Sequence, residues 1–497
     1  MIPLVNTKQI REIERYTTND IGISELILME HAAIFLYQKL RKHFNGKLKK
    51  TRGIIFVGPG NNGADGLALA RILHHKNISH FEIVEISENE ERSEAFQTQK
   101  SILSRLGYAA TTEIPTTEID WIVDGIFGVG FNKKLDGIFL KAVEFINAQK
   151  KYTLSIDIPT GLSAETGNPQ STSVVATETA CLGFYKKGLF TAMAADYTGN
   201  IFLNTIQIPQ KNLSTVFDTY LFTQKDFFHL LPLRKPASHK GNFGHVYIYA
   251  SHEDKQGACG LTSLAALRMG CGLVTVVGEA GALKKIKSRL PLEVMTENIE
   301  KVSYKENSVL ILGPGLEESK ESWQTLSQSM KVLLPIVIDA SALNLIAENL
   351  DEAKEILKAR VHPTILTPHP KEAARLLKTQ TENIQINRFI TIQTLKNHFA
   401  SSVLLKGKGT LCLSNEDKTL VVNQGNTALS KAGSGDLLCG VIGALVAQGL
   451  NPINAMAMGS YIEGVAAEYL ARNVGSERAF IASDIAEIFP KILRRPH

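Results

Sequence analysis

Gly425-Asn426-Thr427-Ala428-Leu429-Ser430-Lys431-Ala432-Gly433-Ser434-Gly435-Asp436 runs without a break into the apolar segment 437–447. Glycines at 433 and 435 bare backbone N–H groups where a helix is about to begin. The first-turn N–H groups of a helix have no partner inside it, so such a start is a ready anion site. Asp436, just inside it, is placed to take a proton from a hydroxyl brought up to the anion. The plainer reading is an acidic residue set against the helix dipole, and the neighbouring sequence decides between the two.

Upstream, short apolar runs alternate with helical segments. The runs 246–249, 273–277, 309–312, 336–339 and 364–366 predict strands, with a helix around 261–269. Strand–helix alternation predicts an α/β fold with a parallel sheet, whose ligands bind beyond the carboxyl ends of the strands. The first half follows the same rule. Leu26, Met29, Ala33, Leu36, Leu40 and Phe44 recur at helical spacing, predicting a helix over 24–44. The run 54–57 predicts a buried strand, and 121–124 and 152–157 predict two more, ending in Asp124 and Asp157. Regularity frays between 205 and 235, which puts the boundary near 215–225 and gives domains 1–215 and 225–497. No sequence repeat joins the halves.

At 497 residues the chain is too long for one ordinary core. Its +5 charge, from 54 basic and 49 acidic residues, is too diluted for a nucleic-acid binder. The one basic cluster, 47–52, lacks the interleaved aromatics on which bases would stack. Five scattered cysteines form no C-x-x-C pair, which argues against zinc or a disulfide framework. No signal peptide and no membrane-length apolar run is read, so a cytoplasmic location without membrane contact is expected.

After the strand 54–57 the segment Asn61-Asn62-Gly63-Ala64-Asp65-Gly66 reads as a glycine-rich loop opening a helix. Alone it is a weak signal, lacking G-x-G-x-x-G and the P-loop lysine. Asp124-Gly125-Ile126-Phe127-Gly128-Val129-Gly130 and Asp157-Ile158-Pro159-Thr160-Gly161 bring two carboxylates to the same sheet edge. Asn, Asp and Thr oxygens without His or Cys suit a hard cation. Together these segments, with Met29-Glu30 and Lys187-Gly188, resemble the NAD(P)H-hydrate epimerase family over most of residues 1–210. The resemblance implies a Rossmann-like three-layer αβα epimerase domain. It implies that the hydrated cofactor is held by Asn61, Asn62, Gly63, Ala64 and Asp65, by Gly128, Val129, Gly130, Phe131, Asn132, Lys133 and Lys134, and by Asp157. Potassium would be bound by Asn62, Asp124 and Thr160. Asp157 is the expected manager of proton and hydroxide traffic at the hydrated carbon. Ala64 replaces the family's usual glycine, and His31-Ala32-Ala33 its usual Asn-Ala-Gly.

The opening stretch belongs with Lys240-Gly241-Asn242-Phe243-Gly244-His245, Gly257-Ala258, Gly313-Pro314-Gly315-Leu316, Asp339-Ala340-Ser341-Ala342-Leu343-Asn344, Thr367-Pro368-His369-Pro370-Lys371-Glu372 and Lys406-Gly407-Lys408-Gly409-Thr410. In that order these resemble the ribokinase-like superfamily and, within it, the NAD(P)H-hydrate dehydratases. The resemblance implies a ribokinase-like α/β domain in which Gly315, His369, Pro370, Lys371, Glu372, Ala373, Ala374, Arg375 and Asp436 hold the hydrate. The nucleotide would be held by Lys406, Gly407, Lys408, Gly409 and Thr410. Asn426, Thr427, Ala428, Leu429, Ser430, Lys431, Ala432, Gly433, Ser434 and Gly435 would complete its site. Glu317, Ser341 and Ala250-Ser251 depart from the family's usual Gly, Asp and Gly-Ser.

The fused chain is therefore expected to be an isomerase and a lyase in one. It would epimerise R and S hydrates of NADH and NADPH, then phosphorylate the S hydrate and expel phosphate to restore the dihydropyridine. ADP, becoming AMP and phosphate, is favoured over ATP, because the fused arrangement is mainly prokaryotic and prokaryotic members prefer ADP. Mg²⁺ accompanies the nucleotide. The expected partners are these small molecules and further copies of the chain in a homo-oligomer. A vitamin-precursor kinase with a non-catalytic N-terminal binding domain is the alternative, since such kinases share the Gly-x-Gly-Asp helix start.

Overall fold

Ile54, Ile55, Phe56 and Val57 are all buried, yet they serve two cores. Ile55 and Val57 join one apolar cluster, Ile54 and Phe56 another. That is the alternation of a strand covered on both faces. The computed structural model describes residues 1–88, 91–115, 118–211, 213, 215–250, 255–416 and 418–494. It divides into two compact units, one comprising Pro3–Phe217, the other Asp218–His497 with Met1–Ile2.

The first unit carries six parallel strands: β1 (Gly53–Val57), β2 (Phe81–Glu85), β3 (Trp121–Gly125), β4 (Tyr152–Ile156), β5 (Glu178–Leu182) and β6 (Asn200–Asn204). Their spatial order is β2-β1-β3-β4-β5-β6. Helices Glu25–His43 and Asn61–His75 bury Leu36, Leu40, Leu67 and Leu69 with Val123 and Leu154 on one face. Helix Gly137–Gln149 buries Phe139, Val143 and Ile146 with Ile122 on the other. The unit is a Rossmann-like three-layer αβα sandwich. After β2 the chain passes back over β1 to β3, so a crevice opens beyond the carboxyl ends of β1 and β3, where such sheets bind ligands.

The second unit holds β7 (Thr219–Leu221), β8 (His245–Tyr249), β9 (Leu273–Gly278), β10 (Met295–Asn298), β11 (Ser308–Leu312), β12 (Ile336–Ile338), β13 (Thr364–Leu366), β14 (Ser402–Leu405), β15 (Thr410–Leu413) and β16 (Thr419–Val422). They lie in the order β10-β9-β8-β11-β12-β13-β14-β15-β16-β7. Pairing is parallel as far as β14, and the turn 406–409 then makes β14–β15 antiparallel. The helix Ser434–Ala447 packs on β8, β11 and β12. A Cβ on its Gly440 would stand 2.1 Å from the Thr262 carbonyl oxygen, so glycine sets how closely this helix meets Gln256–Arg268. This unit is the ribokinase-like α/β fold. Among the described residues no helix is long and apolar enough to cross a membrane.

Candidate active sites

In the first unit the segment read as a loop is already helical, because Asn61 is the first residue of Asn61–His75 and Gly60 its cap. Ala64 needs no left-handed backbone here, since it sits inside the first turn with its N–H on the Gly60 carbonyl at 3.1 Å. Gly63 is required by packing, as a Cβ would lie 1.9 Å from the Gly58 carbonyl oxygen. Gly60, Asn61 and Asn62 of this helix start border the β1/β3 crevice.

A cavity of about 440 Å³ fills that crevice, lined by Asn61, Asn62, Asp65, Gly128, Val129, Gly130, Phe131 and Asp157. Gly63 and Ala64 lie behind its wall, and Asn132, Lys133 and Lys134 are exposed and outside the lining. Arg11 and Glu14, from helix Thr7–Arg15, also line it. Sequence reasoning missed both, because they precede every motif and sit on an ordinary amphipathic helix.

Asp157, one residue past β4, is held at φ 63°. Aspartate tolerates this left-handed conformation better than most residues. Its Oδ1 accepts from the Leu182 N–H at 3.0 Å and from the Lys186 ammonium. Lys186 is fully buried, and its Nζ also donates to the Leu182 carbonyl at 2.8 Å. Burial works against its charge, but Asp157 overrides that and holds the lysine above its ordinary range. Cys181 lies against the same pair, its thiol pushed up to about 12 by burial. Burial, then Asp157 and Glu14, raise Asp65 well above the usual carboxylate range. Lys186 too escaped the sequence, which singled out its neighbour Lys187.

Asp124, fully buried at the end of β3, is saturated. Its Oδ1 accepts from the Thr160 hydroxyl at 2.6 Å and the Ile126 N–H at 3.4 Å; Oδ2 accepts from the Ser155 hydroxyl at 2.8 Å and the Thr160 N–H at 2.9 Å. Burial raises its pKa against these hydrogen bonds. Asn62 contrasts with it, since its buried amide Nδ2 has no partner among the described residues. Turning that amide would present Oδ1 instead, the kind of oxygen donor a monovalent cation takes.

In the second unit consecutive strand ends line up the chemistry: Gly315 after β11, Asp339 after β12, His369 after β13 and Lys406 after β14. Asp339 accepts from the Lys406 ammonium at 2.5 Å on Oδ1 and from the Cys439 thiol at 3.0 Å on Oδ2. Burial works against charge on Lys406, but Asp339 holds it above its ordinary range. Gly313, at φ 121°, makes room for this, as a Cβ there would strike the Asp339 carbonyl oxygen at 1.8 Å. Gly435 closes on the same pair, its Cβ position 3.2 Å from Lys406 Nζ and 3.4 Å from Asp339 Oδ2.

Asp436 is the third residue of helix Ser434–Ala447, after the left-handed cap Gly433. Among the described residues no donor reaches its carboxylate. Burial, then the Asp339 charge, push it up to about 6 against the pull of Lys406. His369 caps helix Pro370–Leu376, its Nδ1 accepting from the Lys371 and Glu372 N–H groups at 3.1 and 3.3 Å. Burial, then the Lys406 charge, lower its pKa, keeping the ring neutral. Burial raises Glu372. Ala373 and Ala374 are buried in that helix, and Arg375 donates to Asn344 Oδ1 at 2.5 Å. Ser341, where the family has aspartate, accepts from Lys255 Nζ at 3.0 Å; Ser251 lies outside the described residues.

Several nucleotide-site candidates have their side chains engaged elsewhere. Lys408 donates to the Asn423 and Gly425 carbonyls at 2.7 and 3.1 Å, and Lys431 to the Arg478 carbonyl at 2.6 Å. Thr427 is bound by Glu477, and Asn426 Nδ2 reaches the Ala467 carbonyl at 3.1 Å. These contacts fix the backbone of 426–431. Arg388, not read from the sequence, fixes the other loop, donating to the Leu405, Lys406 and Gly409 carbonyls at 3.1 to 3.2 Å.

A Rossmann-like unit and a ribokinase-like unit in one chain, each with a buried Asp–Lys pair and further carboxylates at a strand-end cleft, define a two-site α/β enzyme. Residues 25–188 match the family model described as YjeF-related protein N-terminus, and residues 246–491 the one described as NAD(P)H-hydrate dehydratase. The bifunctional NAD(P)H-hydrate repair enzyme of Moorella thermoacetica is 31% identical over 99% of this chain and 96% of its own length. That of Coxiella burnetii is 32% identical over 98% of each. A Bacillus subtilis structure, titled as an ADP/ATP-dependent NAD(P)H-hydrate dehydratase, is 27% identical with a TM-score of 0.49, covering 54% of this chain and 96% of its own. The chain belongs to the family of bifunctional NAD(P)H-hydrate repair enzymes, an epimerase followed by a dehydratase. Relatives matched from end to end disfavour the vitamin-precursor kinase with an inert first domain.

Proposed function

We propose that the two clefts divide the repair as follows. The first-unit cavity takes the hydrated nicotinamide through Asn61, Asn62, Asp65, Gly128–Phe131 and Asp157, with Gly63 and Ala64 supporting its wall from behind and 132–134 at its exposed edge. Asp157 manages proton and hydroxide transfer at the hydrated carbon. Potassium held by Asn62, Asp124 and Thr160 would supply a fixed positive charge at the crevice. In the second unit Gly315, His369–Arg375 and Asp436 take the S hydrate, while 406–410 and 426–435 take the nucleotide. Mg²⁺ would come with the phosphates, and ADP is the favoured phosphoryl donor. Domain limits of 1–215 and 225–497, a cytoplasmic location and a homo-oligomer complete the reading.

The observation that carries it is Asp436, a carboxylate that no donor among the described residues reaches, at a glycine-opened helix start beside the Lys406–Asp339 pair. A group without hydrogen-bond partners and with a raised pKa is suited to take a hydroxyl proton as phosphate is transferred. The test is an assay on mixed R and S hydrates with ADP and ATP compared, following the return of dihydronicotinamide absorbance. Complete recovery with ADP is expected, because epimerisation feeds the R hydrate to the dehydratase. Recovery halting once the S hydrate is consumed would remove the epimerase, and faster turnover with ATP would reverse the nucleotide preference.

A further inference from the structure

Epimerisation at the hydrated carbon needs an acid as well as a base, since hydroxide leaves poorly from carbon. Asp157 is tied to Lys186. Three other carboxyl groups line the same cavity, Glu14, Glu25 and Asp65. Glu14 comes from helix Thr7–Arg15 and keeps part of its surface open to the cavity. Asp65 comes from helix Asn61–His75 and is less accessible. We propose that Glu14 is a catalytic residue of the epimerase, the acid that protonates the departing hydroxyl while Asp157 serves as its basic partner. This rests on the epimerase reading above.

The step balances as follows. Glu14 gives its proton to the hydroxyl oxygen, the C–O bond breaks with its electron pair going to oxygen, and water is released. The ring-nitrogen lone pair forms the C=N bond of an iminium. Water then adds to the other face, making the new C–O bond, and its excess proton passes to Asp157. Transfer from Asp157 through cavity water to Glu14 resets the pair, and the opposite epimer runs the sequence backwards.

The surroundings select Glu14 over Asp65 and Glu25, because Glu14 is the open carboxylate that stands in the field of the Asp157–Lys186 pair. Facing Glu14 are Arg11 from its own helix, Glu25 from helix Glu25–His43, Asp157 past β4 and Lys186 from strand Tyr185–Lys186, with Asp65 alongside. Surrounding protein withdraws water from the carboxylate and raises it to about 7, Lys186 opposing and Asp157 and Glu25 assisting. Asp65 is held well above the carboxylate range by burial and is less accessible than Glu14. An acid that must lose and regain a proton each turnover works best near the ambient pH.

The experiment uses the full chain and follows R/S interconversion by chiral chromatography, with the uncatalysed rate subtracted. In wild type, kcat/KM should fall above about pH 7, as Glu14 loses its proton. Glu14→Gln should lower kcat by ~100-fold or more, leave KM within about threefold and abolish the decline near pH 7. Glu14→Asp, which keeps an acid on a shorter arm, should recover part of the rate. ADP-dependent dehydration of the S hydrate, housed in the other unit, should be unchanged in both variants, and the retained KM for epimerisation certifies folding of the epimerase unit. A Gln variant with more than about a third of the wild-type rate, or with the pH 7 decline intact, overturns the assignment while the epimerase reading stands. Wild-type chain that leaves the hydrates unexchanged overturns both.

Discussion

Replacing Asp436 with asparagine separates its two readings by opposite signs in two measurements. The carboxylate lies well above the ordinary 3.8, at about 6, chiefly through burial and then the Asp339 charge. That rise sets roughly 3 kcal/mol against the ionised form in the folded state at neutral pH. A carboxyl group whose pKa is raised by folding adds stability below its unfolded pKa and loses that contribution as pH climbs through the folded value. Asparagine never ionises, so Asp436→Asn should be more stable than wild type at pH 8, by about 1–3 kcal/mol once relaxation is allowed for. The gain should shrink below pH 6 and vanish near pH 4. Dehydration of the S hydrate should meanwhile fall by ~10²–10⁴-fold, since asparagine cannot accept the hydroxyl proton. ADP should still bind, because its proposed seat is backbone N–H groups that the substitution leaves in place. Urea melts at pH 4, 6 and 8, calorimetry with ADP and single-turnover dehydration make the assay. A variant that binds ADP, dehydrates at a comparable rate and loses stability would refute the argument and make Asp436 a helix-start residue.

Asp157→Asn keeps the left-handed backbone but removes the negative charge paired with Lys186, so epimerisation should slow while ADP-dependent dehydration of the S hydrate persists. Thermal melts of that variant should show a loss of about 3 kcal/mol or more, as befits a buried charge left without its partner. Potassium should raise the epimerase unit's melting temperature more than sodium does, and Asp124→Ala should erase the difference; equal responses in both proteins would sink the cation assignment. Gly313→Ala should cost at least about 2 kcal/mol, from positive φ and overlap with the Asp339 carbonyl together. Its dehydratase should fail before its epimerase on heating.

What the sequence disclosed and what it hid have a common cause. Central strands such as β1, β3, β8 and β11 are apolar along their length because helices cover both faces, and apolar runs are easily read. Edge strands β6 and β10, Asn200–Asn204 and Met295–Asn298, are only partly buried and end in polar residues, and left no long apolar run. Of the sites, the segments that depend on local backbone were legible: the helix start at Gly433–Asp436, the first turn at Asn61 and the strand-ending aspartates. Glu14, Lys186 and Arg388 were not, because each acts across a long sequence separation through a side chain. Arg388 reaches its carbonyls from an otherwise ordinary helix, and one lysine of an adjacent pair is buried only because β5 and the short strand after it bring Asp157 alongside.

Each cleft also holds a thiol against its Asp–Lys pair, Cys181 in the first and Cys439 in the second. A lysine neighbour ordinarily makes a cysteine reactive by favouring the thiolate. Here burial and the adjoining aspartate win, and both thiols are pushed upward, Cys439 well above the usual range. The other three cysteines are buried as well. Oxidants attack thiolates, so side chains that stay protonated offer peroxide little to react with. An enzyme devoted to damaged redox cofactors thus carries its cysteines in a chemically quiet form, and should keep working in the oxidising conditions that disable exposed-thiol enzymes.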